Sequence, residues 1–167
     1  MTAMIRTCTM DWTLSADKSK LYFAYGSNMV VNQMAVRCRR HELVGIARLD
    51  GYRFVINRRG VATIVPAEGS AVHGVVWSLH RTDEERLDVY EGIPQGLYHK
   101  EKMQVILSDG DRAEVMVYIA SDSVPGESRN AYLERIVKAA KRHGLPKEYI
   151  NELEKWRGDG DHAGSFV

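Results

Sequence analysis

Glu91 and the tetrapeptide Tyr25-Gly26-Ser27-Asn28 are the parts of this sequence best suited to chemistry. Glu91 closes an expected helix just before Gly92, where the negative end of the helix dipole disfavours a second negative charge. Burial and such a dipole raise a carboxyl group from its ordinary pKa of about 4.3 toward neutrality, where it can both take and return a proton. Helix-end glutamates are common and usually solvated, so position alone does not single this one out. Gly26 follows an expected strand. A glycine there lets backbone approach a ligand closely and several amides point one way, as anion-binding turns require. Gly, Ser and Asn equally suit a plain turn, which explains most such tetrapeptides. Tyr98 and Tyr132 each carry a phenol that can hydrogen-bond a carboxylate or simply pack.

Other chemistries find less support. Ser27 lacks the G-x-S-x-G context of a hydrolase nucleophile. His41, His73, His80, His99, His143 and His162 show no pair at i, i+4 spacing, so no metal is assigned, and no cofactor is expected. Cys8 and Cys38 form neither a repeated framework nor a C-x-x-C pair and read as reduced structural thiols. A formal charge of +1 gives no basic surplus for nucleic acid, and no segment approaches the roughly 20 apolar residues that span a bilayer. Residues 1–20 are interrupted by Arg6, Asp11 and Asp17 and lack the apolar core of a signal peptide, so a cytoplasmic protein is expected.

The elements that must position these groups follow from periodicity and turn signals. A length of 167 residues suits one domain, expected over 21–156, with a leader at 1–20 and a Gly- and Asp-rich flexible tail at 157–167. An aromatic-rich strand over 21–25 leads into the Gly26 turn, and 29–36 suits a short helix. Strands are expected over 43–49, 52–57, 62–66 and 72–79, separated by turn signals at Asp50-Gly51, Arg59-Gly60 and Glu68-Gly69. Along the last of these, Trp77 alternates with Val75 and reads as core. Thr82 and Glu85 fit a capping box for a helix to about Tyr90, with Leu87 and Tyr90 on its apolar face. Strands over 102–107 and 113–120 flank Asp109-Gly110, a tight hairpin signal. Leu133, Ile136, Val137 and Ala140 recur at helical spacing before Gly144 and Pro146, and 147–156 suits a last short helix. The whole is an α+β domain: a mostly antiparallel, barrel-like sheet with a few flanking helices.

Taken in order, these segments resemble the γ-glutamyl cyclotransferase (AIG2-like) family over nearly the whole chain, about residues 21–156. The carriers are Tyr22-Phe23-Ala24-Tyr25-Gly26-Ser27-Asn28, then Gly74-Val75-Val76-Trp77, Tyr90-Glu91-Gly92 and Gly96-Leu97-Tyr98, and later Tyr132 and His143-Gly144-Leu145-Pro146. The resemblance implies a barrel-containing fold whose cavity has the turn at 25–28 as its floor. It implies Glu91 as catalytic acid/base, and Tyr22, Phe23, Ala24, Tyr25, Gly26, Ser27, Asn28, Tyr98 and Tyr132 as contacts for a small γ-glutamyl substrate. The α-amine of that substrate would attack its own γ-carbonyl and release 5-oxoproline with a free amine or amino acid. Many members are dimers, so the resemblance allows a homodimer. Two alternatives share these motifs: a specialised enzyme that removes a γ-glutamyl cap from a γ-glutamylamine or secondary metabolite, and a non-catalytic binding module of the same fold.

Overall fold

The structure, a computed structural model, describes residues 19–158. The expectations for a leader at 1–20 and a tail at 157–167 lie outside the described residues, except at Ser19, Lys20, Arg157 and Gly158. Lys20 opens the first strand, and Arg157 forms a single β-bridge with Ser128.

Five strands close into a barrel in the order β1-β3-β2-β4-β5. These are β1 (Lys20–Ala24), β2 (Glu42–Ile56), β3 (Ala62–Leu79), β4 (Tyr98–Leu107) and β5 (Arg112–Ala120). Every neighbouring pair is antiparallel except β1 and β5, whose parallel bridge at Tyr22 and Met116 closes the ring. The expected barrel-like, mostly antiparallel sheet is therefore the observed one.

Strand number differs from expectation. Four short strands over 43–79 are two long ones, because only Arg59-Gly60 reverses the chain. There the Asn57 carboxamide oxygen accepts from the N–H groups of Arg59 and Val61, closing the turn from inside. At Asp50-Gly51 the backbone continues instead. Asp50 pairs with Ala71 and Tyr52 with Pro66, so Gly51, at φ +81°, faces the extra residues 67–70 of β3 across an irregularity in the ladder. A glycine that can take positive φ serves a bulge as well as a turn, and the signal does not separate the two. The Asp109-Gly110 signal does close a hairpin, between β4 and β5.

Among the described residues, four helices, α1 (Val31–Arg37), α2 (Arg81–Tyr90), α3 (Asn130–His143) and α4 (Lys147–Glu154), accompany the barrel. Helix α1 starts later than expected because residues Ser27–Met29 first form a 3₁₀ turn. The expected Thr82–Glu85 capping box is absent. His80 caps α2 instead, its Nδ1 accepting from the Thr82 N–H at 3.3 Å, while Glu85 pairs with Arg81 at 3.3 Å. Leu87 is fully buried, but Tyr90 is exposed. Helix α3 buries Leu133, Ile136, Val137 and Ala140 as its spacing requires and ends on Gly144 in the left-handed region.

The core is continuous through the barrel and under α3 and α4, with Phe23 and Trp77 among its largest fully buried side chains. Beside the end of β1, Gly74 on the neighbouring strand β3 is obligatory. A Cβ at this position would overlap the Ala24 carbonyl oxygen and stand 2.9 Å from the Phe23 ring. No helix among the described residues is long and apolar enough to cross a membrane.

Candidate active site

One cleft at the end of β1 gathers Tyr22, Tyr25, Gly26, Ser27, Asn28, Ala62, Glu91, Tyr98, Tyr118 and Tyr132. Seven elements or turns meet there, and each delivers its residue for a local reason. β1 ends at Ala24, and the 3₁₀ turn at Ser27–Met29 folds back over the barrel mouth. Its internal hydrogen bonds begin with the Met29 N–H on the Gly26 carbonyl, 3.1 Å, so the N–H groups of Ser27 and Asn28 precede the first of them, as at any helix start. Two rings hold the other side of this turn: the Trp77 indole N–H donates to the Asn28 carbonyl at 3.0 Å, and His143 Nε2 lies 2.7 Å from the Met29 carbonyl. A carbonyl only accepts, so that nitrogen of His143 carries the proton.

Glu91 follows the last residue of α2, and its backbone N–H still bonds to the Leu87 carbonyl at 2.8 Å. Gly92, at φ +69°, then turns the chain away. The carboxylate oxygen Oε1 accepts from Asn28 Nδ2 at 2.9 Å. The same Nδ2 donates to the Tyr22 hydroxyl, also at 2.9 Å. Burial pushes the Glu91 carboxyl above its ordinary range, opposed by the Asn28 hydrogen bond and the Arg37 charge. Burial, with Glu91 next, also keeps the Tyr22 phenol well above the usual value for tyrosine.

Tyr98 and Tyr132 grip one residue of the opposite wall. The Tyr98 hydroxyl donates to the Ala62 carbonyl at 2.9 Å, and the Ala62 N–H donates to the Tyr132 hydroxyl at 3.0 Å. The Tyr25 hydroxyl donates to the Tyr118 carbonyl, and the Tyr118 hydroxyl to Asp88 Oδ1 at 2.6 Å. Asp88 in turn meets Lys100 at 2.8 Å, which ties α2 to β4 one turn before Glu91.

Among the residues expected at a site, Tyr22, Tyr25, Gly26, Ser27, Asn28, Glu91, Tyr98 and Tyr132 share this cleft. Phe23 and Ala24 do not line it and are buried in the barrel wall. Strand alternation turns the Phe23 ring away from Tyr22 and onto Gly74. Three further residues belong to the neighbourhood: Ala62 and Tyr118 in the lining, and Arg37, which donates to Asn28 Oδ1. Tyr118 carried only the signal of a strand residue, and Arg37 stood one residue beyond the expected helix, beside Arg39 and Arg40 with nothing to separate it from them.

The cleft is open on one side, and its inner space is about 40 Å³, room for a few waters. A larger cavity of about 390 Å³ lies between Met29, Val30 and Val31 and helix α3, where Arg135, Lys138, Arg142 and His143 line it. Among the described residues it is lined by no carboxylate, and its histidine is engaged by the Met29 carbonyl. The smaller cleft is where a carboxyl with a raised pKa and several phenols converge.

Comparison with known proteins gives a consistent picture. Residues 71–153 match the model of the AIG2-like family. The chain is 30% identical over 148 residues to a bovine protein named gamma-glutamylcyclotransferase, covering 81% of this chain and 78% of the relative. A human protein of the same name is 29% identical over 154 residues, covering 86% of this chain and 82% of the relative. A solved structure named gamma-glutamyl cyclotransferase superposes with a TM-score of 0.80 at 28% identity, covering 89% of this chain and 94% of that one.

Proposed function

Because this chain belongs to the γ-glutamylcyclotransferase family, we propose that it releases 5-oxoproline from γ-glutamyl amides, with Glu91 moving the proton. The observation that carries this reading is the Glu91 carboxylate held 2.9 Å from the Asn28 amide nitrogen, in one cleft with the Gly26 turn.

The reaction is intramolecular. The substrate's α-amine nitrogen attacks its own γ-carbonyl carbon, forming the ring C–N bond, and the bond to the leaving nitrogen then breaks. Holding the chain folded back supplies most of what such a closure needs. No protein nucleophile enters the scheme. The attacking nitrogen gives up a proton and the leaving nitrogen takes one, so a single carboxylate accepts the first and returns it to the second. A carboxyl group raised by burial is better matched to this exchange near neutral pH than an ordinary glutamate.

The Gly26 and Ser27 N–H groups of the turn are the candidate donors for an anionic oxygen, either the α-carboxylate or the oxygen of the tetrahedral intermediate. Tyr98 and Tyr132 fix the wall opposite them through Ala62. A cytoplasmic setting suits a chain with two thiols that form no cysteine framework.

The test is a panel of γ-glutamyl amino acids and γ-glutamylamines incubated with purified protein, with 5-oxoproline quantified by mass spectrometry. Release from at least one member is expected. Ligand binding without any 5-oxoproline would favour the binding module.

A further inference from the structure

We propose that Arg37 is a positioning residue of this site: by occupying Asn28 Oδ1, it fixes the carboxamide with both N–H bonds directed at Glu91 and Tyr22. The inference rests on the cyclotransferase reading only for its catalytic meaning, since the geometry stands without it.

Donor and acceptor inventory carries the case. A guanidinium only donates, so its partner on Asn28 must be the carbonyl oxygen. The carboxamide then has two N–H bonds left, and two acceptors take them, Glu91 Oε1 and the Tyr22 hydroxyl oxygen, each at 2.9 Å. Asn28 is buried, so a reversed amide would set its oxygen against the Glu91 carboxylate and leave both N–H bonds facing Arg37. Tyr22, having accepted from Asn28, keeps its own proton to donate toward the cleft that it lines.

Arg37 is itself held. It ends α1, half-buried, with its guanidinium 3.3 Å from the centroid of the Tyr90 ring and donating to the Tyr90 hydroxyl. Tyr90 immediately precedes Glu91, so one arginine holds Asn28 and the residue next to the acceptor of its N–H. Planar, donor-only and stacking chemistry of this kind is not reproduced by lysine.

The groups around Glu91 are the phenols of Tyr22 on β1 and Tyr25 at its end, Tyr98 on β4, Tyr118 on β5, Tyr132 on α3, and Arg37 on α1. Tyr90 stands beside it in sequence, and the phenols are neutral through the range where Glu91 titrates. Arg37 and the Asn28 amide are the influences that oppose the upward push of burial on this carboxyl. Loss of Arg37 therefore removes one directly and frees the other to rotate.

The test is Arg37→Met read by NMR. One readout is the ¹³C titration of the Glu91 side-chain carboxyl, assigned with Glu91→Gln; the other is hydrogen exchange of the Asn28 side-chain NH₂. In the folded variant the Glu91 midpoint is expected to rise by about one pH unit, as loss of a nearby cation commonly produces, and Asn28 exchange to accelerate. Arg37→Lys keeps the charge and the aliphatic stem, so it should hold the midpoint closer to wild type while still accelerating Asn28 exchange; it also serves if the methionine variant does not fold. An unmoved midpoint in folded Arg37→Met, or wild-type Asn28 exchange in either variant, would overturn the proposal. Neither readout needs turnover, so failure of the activity assay and failure of this inference are distinguishable.

Discussion

Glu91 meets Asn28 across 63 residues of sequence, its Oε1 accepting the carboxamide N–H at 2.9 Å. That contact joins the end of α2 to the turn that follows β1, and it depends on the closed barrel. β1 pairs with β3, α2 follows β3 directly, and the 3₁₀ turn is held down on Trp77 of β3 and His143 of α3.

Activity should fall on the acid side with a midpoint above the ordinary glutamate value of 4.5, because the Glu91 carboxyl is raised by burial. Only the ionised form accepts the proton of the attacking amine, so kcat/KM drops as pH falls through the raised value. The pH dependence of kcat/KM checks this, and an acid limb at or below 4.5 would contradict it.

Stability should respond with the opposite preference. A folded-state pKa above the unfolded one means that the native protein binds the proton more tightly, so stability is present below the unfolded value and is lost as pH rises through the folded one. Glu91→Gln, which cannot ionise, is thus expected to melt higher than wild type at neutral pH. The difference should shrink below about pH 4. Thermal melts of both proteins across pH test the sign.

How much of this arrangement was readable beforehand depends on whether a residue's role is local. The α3 periodicity, the Gly26 turn and the Glu91-Gly92 helix end are set by neighbours in sequence, and they stand where expected. The sheet expectation was right in kind but wrong in count, since Gly51 at positive φ serves a bulge rather than a turn and only the pairing partner reveals which. Tyr98 and Tyr132, named by the resemblance, line the cleft, but their shared hold on Ala62 is a contact between distant strands and a helix that no sequence signal carries. Phe23 sits inside the most recognisable motif and points away from the cleft, because strand alternation overrides adjacency.

Tyr132→Phe should cost more stability than Tyr98→Phe. The first leaves the N–H of buried Ala62 without its acceptor, a loss of about 1–3 kcal/mol. The second removes a donor from a carbonyl, which tolerates the loss better, at about 1 kcal/mol. Urea unfolding measures both. Since each loosens the wall opposite the Gly26 turn, KM is expected to rise in both variants.

Gly74→Ala should be severely destabilising although it adds one methyl group. The new atom would meet the backbone of Ala24 and the buried ring of Phe23, neither of which can move without opening the β1–β3 ladder. A loss of about 3 kcal/mol or more is expected, at the upper end for overpacking. A melting temperature within a degree or two of wild type would show that β1 can shift, and with it the turn.

The most direct measurement is 5-oxoproline formation by folded Glu91→Gln protein, alongside its binding of the same γ-glutamyl compound by calorimetry. Binding should persist while turnover falls by about 10²-fold or more, the usual loss when a proton-transfer group is removed. Wild-type turnover by that variant would contradict a role for the Glu91 carboxylate in the reaction.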